Sequence, residues 1–431
     1  MKIIRMIVFA LLILCLAVAL VSCEVDEGAD STGESGSASV PVSEKTDVVK
    51  NADTSPSGPA SEGLSFATNG DGTCALTGIG VCEDVKIVIP THAPNGDRVT
   101  SIANEAFKNS ITIGRVVIPD GVTSIGNEAF VGCYGLASVT LPNSVTSIGD
   151  FAFAGCPALT SFTIPNSVTS IGYGAFEYCS GLTSISIPDS VTSFGMSMFF
   201  NCKKLTSVRF GKGVTSNGDS ALNCCTGLTL ITVAAGNPVY HSDGNCLIET
   251  ASKTLLFGCK NSTIPTDGSV TSIQDYAFYN CTGLTSITIP DCVTGIGRDS
   301  FSGCSGLVRV TVPASAVSYL PKPQLQTVVI TDGSIPDYAF VNCFDLTSVT
   351  INSGATSIGK WAFASCSKLS SITVPNSVRS IKKNAFDQCS ALSSITYQGT
   401  KAQWNAISKE SDWNVRTGAY TIHCTDGDIA K

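Results

Sequence analysis

The sequence predicts an α+β repeat solenoid, a fold in which short coils of chain stack on one another along one axis. Three features predict this fold. The tetrapeptide Val-Thr-Ser-Ile begins at Val99, Val122, Val145 and Val168, so its copies are 23 residues apart. An Ala-Phe pair follows each copy, usually with Cys three residues later, and then Leu, Ile and Val alternate with Thr and Ser. A fixed period of this length is the signature of a repeat architecture.

Each coil is predicted to contain a strand, a turn, a short strand and a helical turn. In residues 284–289 apolar residues alternate with Thr and Ser, which is the period of a half-buried strand. Pro290 ends that run, because Pro cannot donate to a strand ladder. Val-Thr-Ser-Ile predicts the short strand, and the Gly that usually follows it permits a sharp turn. Ala-Phe-x-x-Cys places Phe and Cys three residues apart, on one face of a helical turn.

Two columns of buried side chains are predicted, because a single coil has too small a core to be stable and must share it with its neighbours. The Phe column is Phe107, Phe130, Phe153, Phe176, Phe199, Phe278, Phe301, Phe340, Phe363 and Phe386. The Cys column is Cys133, Cys156, Cys179, Cys202, Cys225, Cys281, Cys304, Cys343, Cys366 and Cys389. Equivalent residues of a stack point the same way, which is poor geometry for disulfides, so these ten thiols are predicted to be free and buried.

The other cysteines leave alternatives open. Nineteen cysteines in an exported chain also fit a disulfide scaffold. Cys74 with Cys82, and Cys246 with Cys259, are candidate hairpin disulfides. Cys292 replaces a serine of sibling repeats and is predicted to be exposed.

The start of the chain predicts export and a lipid anchor. Lys2 and Arg5 precede an apolar run of 16 residues, which is short for a spanning helix and typical of a secretory signal. The sequence Leu-Val-Ser-Cys that ends at Cys23 resembles the lipobox of bacterial lipoproteins, whose cysteine thiol is lipidated. The alternative is an ordinary signal peptide or membrane anchor with a chance cysteine. We expect a lipoprotein signal peptide over residues 1–22. Residues 23–62 then hold the lipidated Cys23 and a flexible tether rich in Ser, Gly and acidic residues.

The repeat resembles the BspA-type leucine-rich-repeat family of bacterial surface proteins. The resemblance rests on Val-Thr-Ser-Ile-Gly, Ala-Phe-x-x-Cys and Leu-Thr-Ser-Ile-Thr-Ile-Pro, and it covers about residues 65–425. It implies an N-terminal cap over residues 63–98 and a C-terminal cap over residues 397–431. It also implies a role in adhesion to extracellular-matrix proteins, host cells or other bacteria.

The repeats are predicted to form two blocks, 99–236 and 270–396. Residues 237–269 interrupt the period and predict a hairpin insertion. One coil of the first block is expected to be looser than the others, because Asn217 and Leu222 replace Ile and Phe there.

Composition and motifs argue against several classes of function. The net charge is −8 and there is no basic stripe, whereas nucleic-acid binding relies on cations that neutralise phosphates. The three histidines, His92, His241 and His423, form no metal-ligand spacing, and the chain lacks a Gly-x-Ser-x-Gly elbow. We therefore predict that the chain is not an enzyme and has no cofactor and no metal site.

The predicted function is that of a cell-surface lipoprotein binding module, whose partner is a protein ligand or a glycan and whose membrane contact is the lipid anchor alone. The alternatives are an envelope or periplasmic scaffold and, less favoured, a glycan-binding or glycan-active protein. Thr and Ser on the strand faces are expected to be a solvated surface. Aromatic residues at variable positions are the candidate binding surface, because aromatics often anchor interfaces: Tyr134, Tyr173, Tyr178, Phe200, Tyr276, Tyr279, Tyr338 and Trp361.

Overall fold

The structure is a computed structural model, and it describes residues 59–216, 218 and 220–430. These residues form a repeat solenoid of about 15 turns. The predicted signal peptide over residues 1–22, Cys23, residues 24–58 of the predicted tether and Asn217 lie outside the described residues.

Nearly all of the regular structure in the described residues is β-strand. The helices there are one 3-10 helix, Ala314–Tyr319, and one α-helix, α1, Lys401–Ala406. In chain order the strands are β1 (Ser65–Thr68), β2 (Thr73–Gly78), β3 (Lys86–Val88), β4 (Arg98–Ile102), β5 (Arg115–Val117), β6 (Ser124–Ile125), β7 (Ser138–Thr140), β8 (Ser147–Ile148), β9 (Ser170–Ile171), β10 (Ser184–Ser186), β11 (Ser193–Phe194), β12 (Ser207–Phe210), β13 (Leu230–Val233), β14 (Tyr240–Asp243), β15 (Cys246–Glu249), β16 (Thr254–Phe257), β17 (Ser272–Ile273), β18 (Ser286–Thr288), β19 (Gly295–Ile296), β20 (Arg309–Val312), β21 (Thr327–Ile330), β22 (Ser348–Ile351), β23 (Ser357–Ile358), β24 (Ser371–Val374), β25 (Ser380–Ile381), β26 (Ser394–Tyr397), β27 (Ser408–Lys409), β28 (Thr421–Cys424) and β29 (Gly427–Ala430).

The repeat strands pair in parallel and in register with the same strand of the next coil. The short strands β4, β6, β8, β9 and β11 follow one another in one sheet, and the longer strands β18, β20, β21, β22, β24, β26 and β28 do so in another. Ile125 of β6 lies opposite Ile102 on one side and Ile148 on the other. Because equivalent residues are paired, equivalent side chains are stacked in columns along the solenoid.

The structure places both columns in the core. All ten Phe and all ten Cys side chains are buried. Neighbouring rings of the Phe column are stacked, with centroids 5.0–5.8 Å apart and interplanar angles of 5–19°. The thiol of Cys156 donates to the carbonyl of Phe130 in the preceding coil (Sγ–O 3.2 Å), and Cys179 donates to Phe153 in the same way (3.1 Å). Eight of the ten column thiols make this bond, so most of the Cys column ties its coils to the coils before them.

The cysteines considered for disulfides are free thiols in the structure, so neither candidate hairpin bridge is formed. Cys246 and Cys259 are both buried. Cys292 is half-buried, contrary to the expected exposure. Its thiol lies 3.5 Å from the carbonyl oxygen of Val270, in the place of the hydroxyl–carbonyl bonds that serines make at this position in sibling repeats.

The segment around each column Phe consists of turns and not of α-helix, and the α+β class is not confirmed. Glu128 and Gly132, which flank Phe130, have left-handed backbones with φ of 57° and 70°. The N–H groups of Glu128 and Phe130 donate to the carbonyls of Asp150 and Ala152 in the next coil, both at 2.7 Å. An α-helix would use those N–H groups for its own carbonyls four residues earlier. Bonds between coils therefore replace bonds within a helix.

Antiparallel strands lie inside the segment for which an insertion is predicted. β14 pairs with β15, and β15 pairs with β16. β16 then pairs in parallel with β17, which is a repeat strand. The segment is thus joined to the stack through a continuous five-stranded sheet.

Candidate binding surface

The candidate aromatic residues lie in turns and not on the strand faces. Seven of the eight are in the turn between the short-strand Ile position and the cysteine of their coil, a part of the coil that we call the turn edge: Tyr173, Tyr178, Phe200, Tyr276, Tyr279, Tyr338 and Trp361. Tyr134 directly follows a column cysteine. Tyr134 and Tyr338 are each 50% exposed and Tyr173 is 39% exposed, whereas the other five are half-buried.

Four aromatic residues form two pairs on three consecutive coils. The rings of Phe151 and Tyr173 meet edge-to-face with centroids 4.9 Å apart, and those of Tyr178 and Phe200 do so at 5.8 Å. We call these four residues the aromatic strip. The structure pairs Tyr173 with Phe151 and Tyr178 with Phe200, each pair spanning two adjacent coils.

Backbone hydrogen bonds, as well as ring contacts, hold the aromatic strip in place. Phe151 and Tyr178 have left-handed backbones, with φ of 54° and 58°, a region that is uncommon for bulky residues. The N–H of Phe151 donates to the carbonyl of Tyr173 (2.7 Å), and the N–H of Tyr178 donates to that of Phe200 (2.9 Å). Each aromatic pair is thus joined across two coils by a hydrogen bond as well as by its rings.

A third aromatic pair lies on a later coil, apart from the strip. The rings of Tyr276 and Tyr279 meet edge-to-face at 5.6 Å, and the guanidinium of Arg298 lies 5.6 Å from the centroid of the Tyr276 ring. This arrangement is a cation–π contact within the chain.

Glu177 is a buried acid beside the aromatic strip that the sequence analysis does not single out. The residue is 5% exposed, and its Oε2 atom has no hydrogen-bond partner in the structure. Burial raises the pKa of this carboxyl from 4.5 to about 7. The sequence contains one signal of this site: an acid follows the column Phe here, whereas the apolar residues Val131 and Ala154 occupy that position in the two preceding coils.

Hydroxyl groups of the strand face are used by the stack itself. The Thr183 hydroxyl donates to the carbonyl of Thr160 in the preceding coil (3.2 Å), and Thr206 donates to Thr183 (2.9 Å). Such bonds account for Thr and Ser at these positions without a ligand.

The described residues contain neither a metal-ligand cluster nor a membrane-spanning helix. In the described part of the chain, no three His, Cys, Asp or Glu side chains are grouped so that they could hold a metal ion. Within residues 59–430, apart from the two undescribed positions, no helix has the length and apolar character needed to span a bilayer.

The comparisons with known proteins agree with the repeat. Residues 100–229, 249–327 and 333–411 match the family profile described as BspA type Leucine rich repeat region, in six copies. A solved leucine rich cell surface protein from Faecalibacterium prausnitzii A2-165 is 30% identical over 82% of this chain and 99% of that chain, with a TM-score of 0.48.

Two further solved structures show the same fold. A leucine-rich repeat protein from Bacteroides ovatus ATCC 8483 is 22% identical over 84% of this chain and 98% of that chain, with a TM-score of 0.56. The pneumococcal vaccine antigen PcpA is 16% identical over 83% of this chain and 98% of that chain, with a TM-score of 0.53. No curated protein matches the chain.

Proposed function

Because the chain belongs to the BspA-type leucine-rich-repeat family, we propose that it is a binding module that attaches a bacterial cell to a protein partner. A solenoid of this kind holds its core in two columns, so the turn positions are free to carry recognition residues. The aromatic strip is the observation that supports the proposal best. No catalytic residue is assigned.

The aromatic strip has the properties of an interface anchor. Tyr and Phe bring a large apolar area, and the Tyr hydroxyl adds a polar group. Ring contacts and backbone bonds hold Phe151, Tyr173, Tyr178 and Phe200 in place before any partner arrives. Groups that are already ordered lose less conformational entropy when they bind, which favours affinity.

The anchor at Cys23 forms part of the same proposal. The apolar segment and the lipobox-like sequence support lipidation of Cys23, and each buried methylene of an attached fatty chain contributes about 0.8 kcal/mol of membrane affinity. The substitution Cys23→Ala is expected to move the protein from the detergent phase to the aqueous phase. Unchanged partitioning would show that Cys23 is not lipidated.

Adhesion of cells that display the full chain tests the binding role. Cells carrying the wild-type protein, the double variant Tyr173→Ala/Tyr178→Ala or the control Phe344→Ala are applied to immobilised extracellular-matrix proteins. Phe344 is 53% exposed and lies on a distant coil, so it controls for loss of a surface aromatic ring. We expect adhesion by the wild type and the control, and reduced adhesion by the double variant at equal display. If the wild type adheres no better than cells without the protein, the adhesion role is wrong.

A further inference from the structure

Two carboxyl groups are buried at the same position of the repeat, directly after a residue of the Phe column. Glu177 follows Phe176, and Asp387 follows Phe386. Glu177 is 5% exposed and Asp387 is 1% exposed. A charged group at so buried a position requires a partner of opposite charge, or else it becomes neutral.

Only one of the two acids has such a partner in the structure. The guanidinium of Arg416 grips Asp387 with two bonds, from Nε to Oδ1 (3.0 Å) and from Nη2 to Oδ2 (2.7 Å). The Oε2 atom of Glu177 accepts no hydrogen bond, and burial is the cause of its raised pKa of about 7. The repeat thus shows one site with its cation and one site without it.

The register of the coils identifies the residue that stands where the cation would be. The N–H of Gln388, the residue after Asp387, donates to the carbonyl of Val415 (3.1 Å), and Arg416 follows Val415 in the chain. The N–H of Tyr178, the residue after Glu177, donates to the carbonyl of Phe200 (2.9 Å), and Asn201 follows Phe200. Arg416 and Asn201 are both left-handed, with φ of 55° and 61°. Asn201 therefore occupies the place of Arg416 and is uncharged.

The surroundings of Glu177 are aromatic. A Cβ atom built on Gly174 would lie 2.9 Å from Glu177 Oε2 and 2.6 Å from Phe151 Cε1, so the carboxyl and the ring both lie against this glycine. Tyr178, which follows Glu177 in the chain, contacts the ring of Phe200 edge-to-face. Aromatic rings attract cations, and the attraction strengthens where water is excluded.

We propose that Glu177 and the aromatic strip form a receptor for a cationic side chain, arginine or lysine, that the protein partner inserts. The proposal rests on the binding function above and names the chemistry of its partner. An arginine fits best, because its planar guanidinium can bond both oxygens of a carboxylate, as Arg416 does with Asp387, and can stack on aromatic rings.

Binding at this site is expected to strengthen as the pH rises through 7. A cation binds the carboxylate and not the carboxylic acid, and burial raises the pKa of Glu177 to about 7. The titratable groups that interact with Glu177 are the Tyr178 phenol and the Cys202 thiol, whose pKa values are raised above 10.0 and 9.0, first by burial and then by nearby charges that include Glu177. Both groups keep their protons between pH 6 and 8, so the change in that range belongs to Glu177.

A pair of peptides tests the receptor directly. The full-length protein is titrated by calorimetry with acetyl-Gly-Arg-Gly-amide and with its uncharged citrulline counterpart, at pH 6 and pH 8. We expect the arginine peptide to bind at pH 8, more weakly at pH 6, and at least tenfold more weakly to the Glu177→Gln variant. Glu128→Gln is the matched control, because Glu128 is an acid of the turn edge that already pairs with Lys108 (2.7 Å), and it should not change binding. Equal binding of the two peptides, no binding of the arginine peptide, or unaltered binding to Glu177→Gln would overturn the proposal.

A cation supplied within the chain gives a second measurement that requires no ligand. Asn201→Arg should place a guanidinium where Arg416 stands beside Asp387. At pH 8 it should raise the thermal midpoint of the wild type, leave that of Glu177→Gln unchanged, and abolish binding of the arginine peptide. Equal shifts in both backgrounds would show that residue 201 does not reach Glu177. If cells adhere as proposed but the arginine peptide does not bind, only the cation receptor is wrong and the binding function stands.

Discussion

Truncation of one ring in the Phe column, Phe153→Ala, should destabilise the solenoid strongly. Phe153 is fully buried between Phe130 and Phe176, with ring centroids 5.1 Å and 5.6 Å away, and the Phe162 ring lies 4.8 Å away. Loss of the ring removes contacts on three sides and leaves a cavity that stacked coils cannot easily close. Such truncations cost about 3–5 kcal/mol.

The assay is urea unfolding followed by circular dichroism, together with hydrogen exchange of the amides in neighbouring coils. Exchange matters because a repeat protein can unfold locally, so the loss should be concentrated in the coils around residue 153. Phe344→Ala is the control, since its half-exposed ring should contribute no more than about 0.5 kcal/mol. If Phe153→Ala and the control had equal stability, the column would not be the source of the solenoid's stability.

Four further predictions concern glycine, charge and thiols. Gly172→Ala should cost about 1–3 kcal/mol, because its Cβ would lie 2.4 Å from a backbone nitrogen of the preceding coil; Gly78→Ala, with 3.6 Å of clearance, should leave the thermal midpoint unchanged. The pKa of Glu177 is about 7 in the folded protein and about 4.5 in the unfolded chain. The free energy of unfolding should therefore fall by about 3 kcal/mol as the pH rises from 4.5 to 7. Glu177→Gln should remove that fall, which urea unfolding at pH 5 and pH 8 would measure. Arg416→Gln should destabilise the last coils by about 3 kcal/mol, because it leaves Asp387 buried without its cation, and exchange of the C-terminal amides would report the loss. The Cys column should react with a thiol reagent at pH 8 only after unfolding, because burial holds its thiols protonated.

Each of these predictions has a result that would contradict it. Unchanged exchange of the C-terminal amides in Arg416→Gln would mean that Asp387 does not need its cation. A Gly172→Ala protein as stable as Gly78→Ala would mean that the coils are packed less closely than the structure shows. A wild type with equal stability at pH 5 and pH 8 would mean that the Glu177 carboxyl is solvated. Fast labelling of the Cys column in the folded protein would mean that the coils open readily.

The stacked core follows from the sequence, because two features of the repeat determine it. A period of 23 residues makes every coil equivalent, and alternation within a coil decides which side chains point inward. The burial of Phe130 and Cys133 can therefore be predicted from one assumption, that equivalent residues stack. In-register pairing, as between Ile125 and Ile148, is that assumption in structural form.

The helical turn is the part of the predicted coil that the structure does not confirm, for a physical reason. Spacing of three between Phe and Cys fits one face of a helix, yet it also fits a turn with left-handed residues at each end. Glu128 takes its left-handed conformation because its hydrogen bond to the next coil compensates for the strain, whereas Gly132 takes it without strain. Spacing along one coil does not contain information about bonds to the next coil.

The binding surface was only partly accessible to sequence reasoning. Aromatic residues at variable positions were found, but their pairing depends on which turn position each one holds, as for Tyr178 and Phe200 on adjacent coils. Glu177 was missed because the sequence does not show that this acid is buried without a cationic partner. An acid after the column Phe is ordinary when an arginine follows in the next turn, and only the register shows that Asn201 stands there instead.

Access to the solenoid on intact cells tests most directly whether this repeat is displayed for binding. Intact and lysed cells are treated with a protease and probed with an antibody against the folded repeats. We expect cleavage and antibody binding on intact cells at the level seen after lysis. Protection until lysis would place the solenoid inside the envelope, contradict the adhesion role, and favour a structural scaffold.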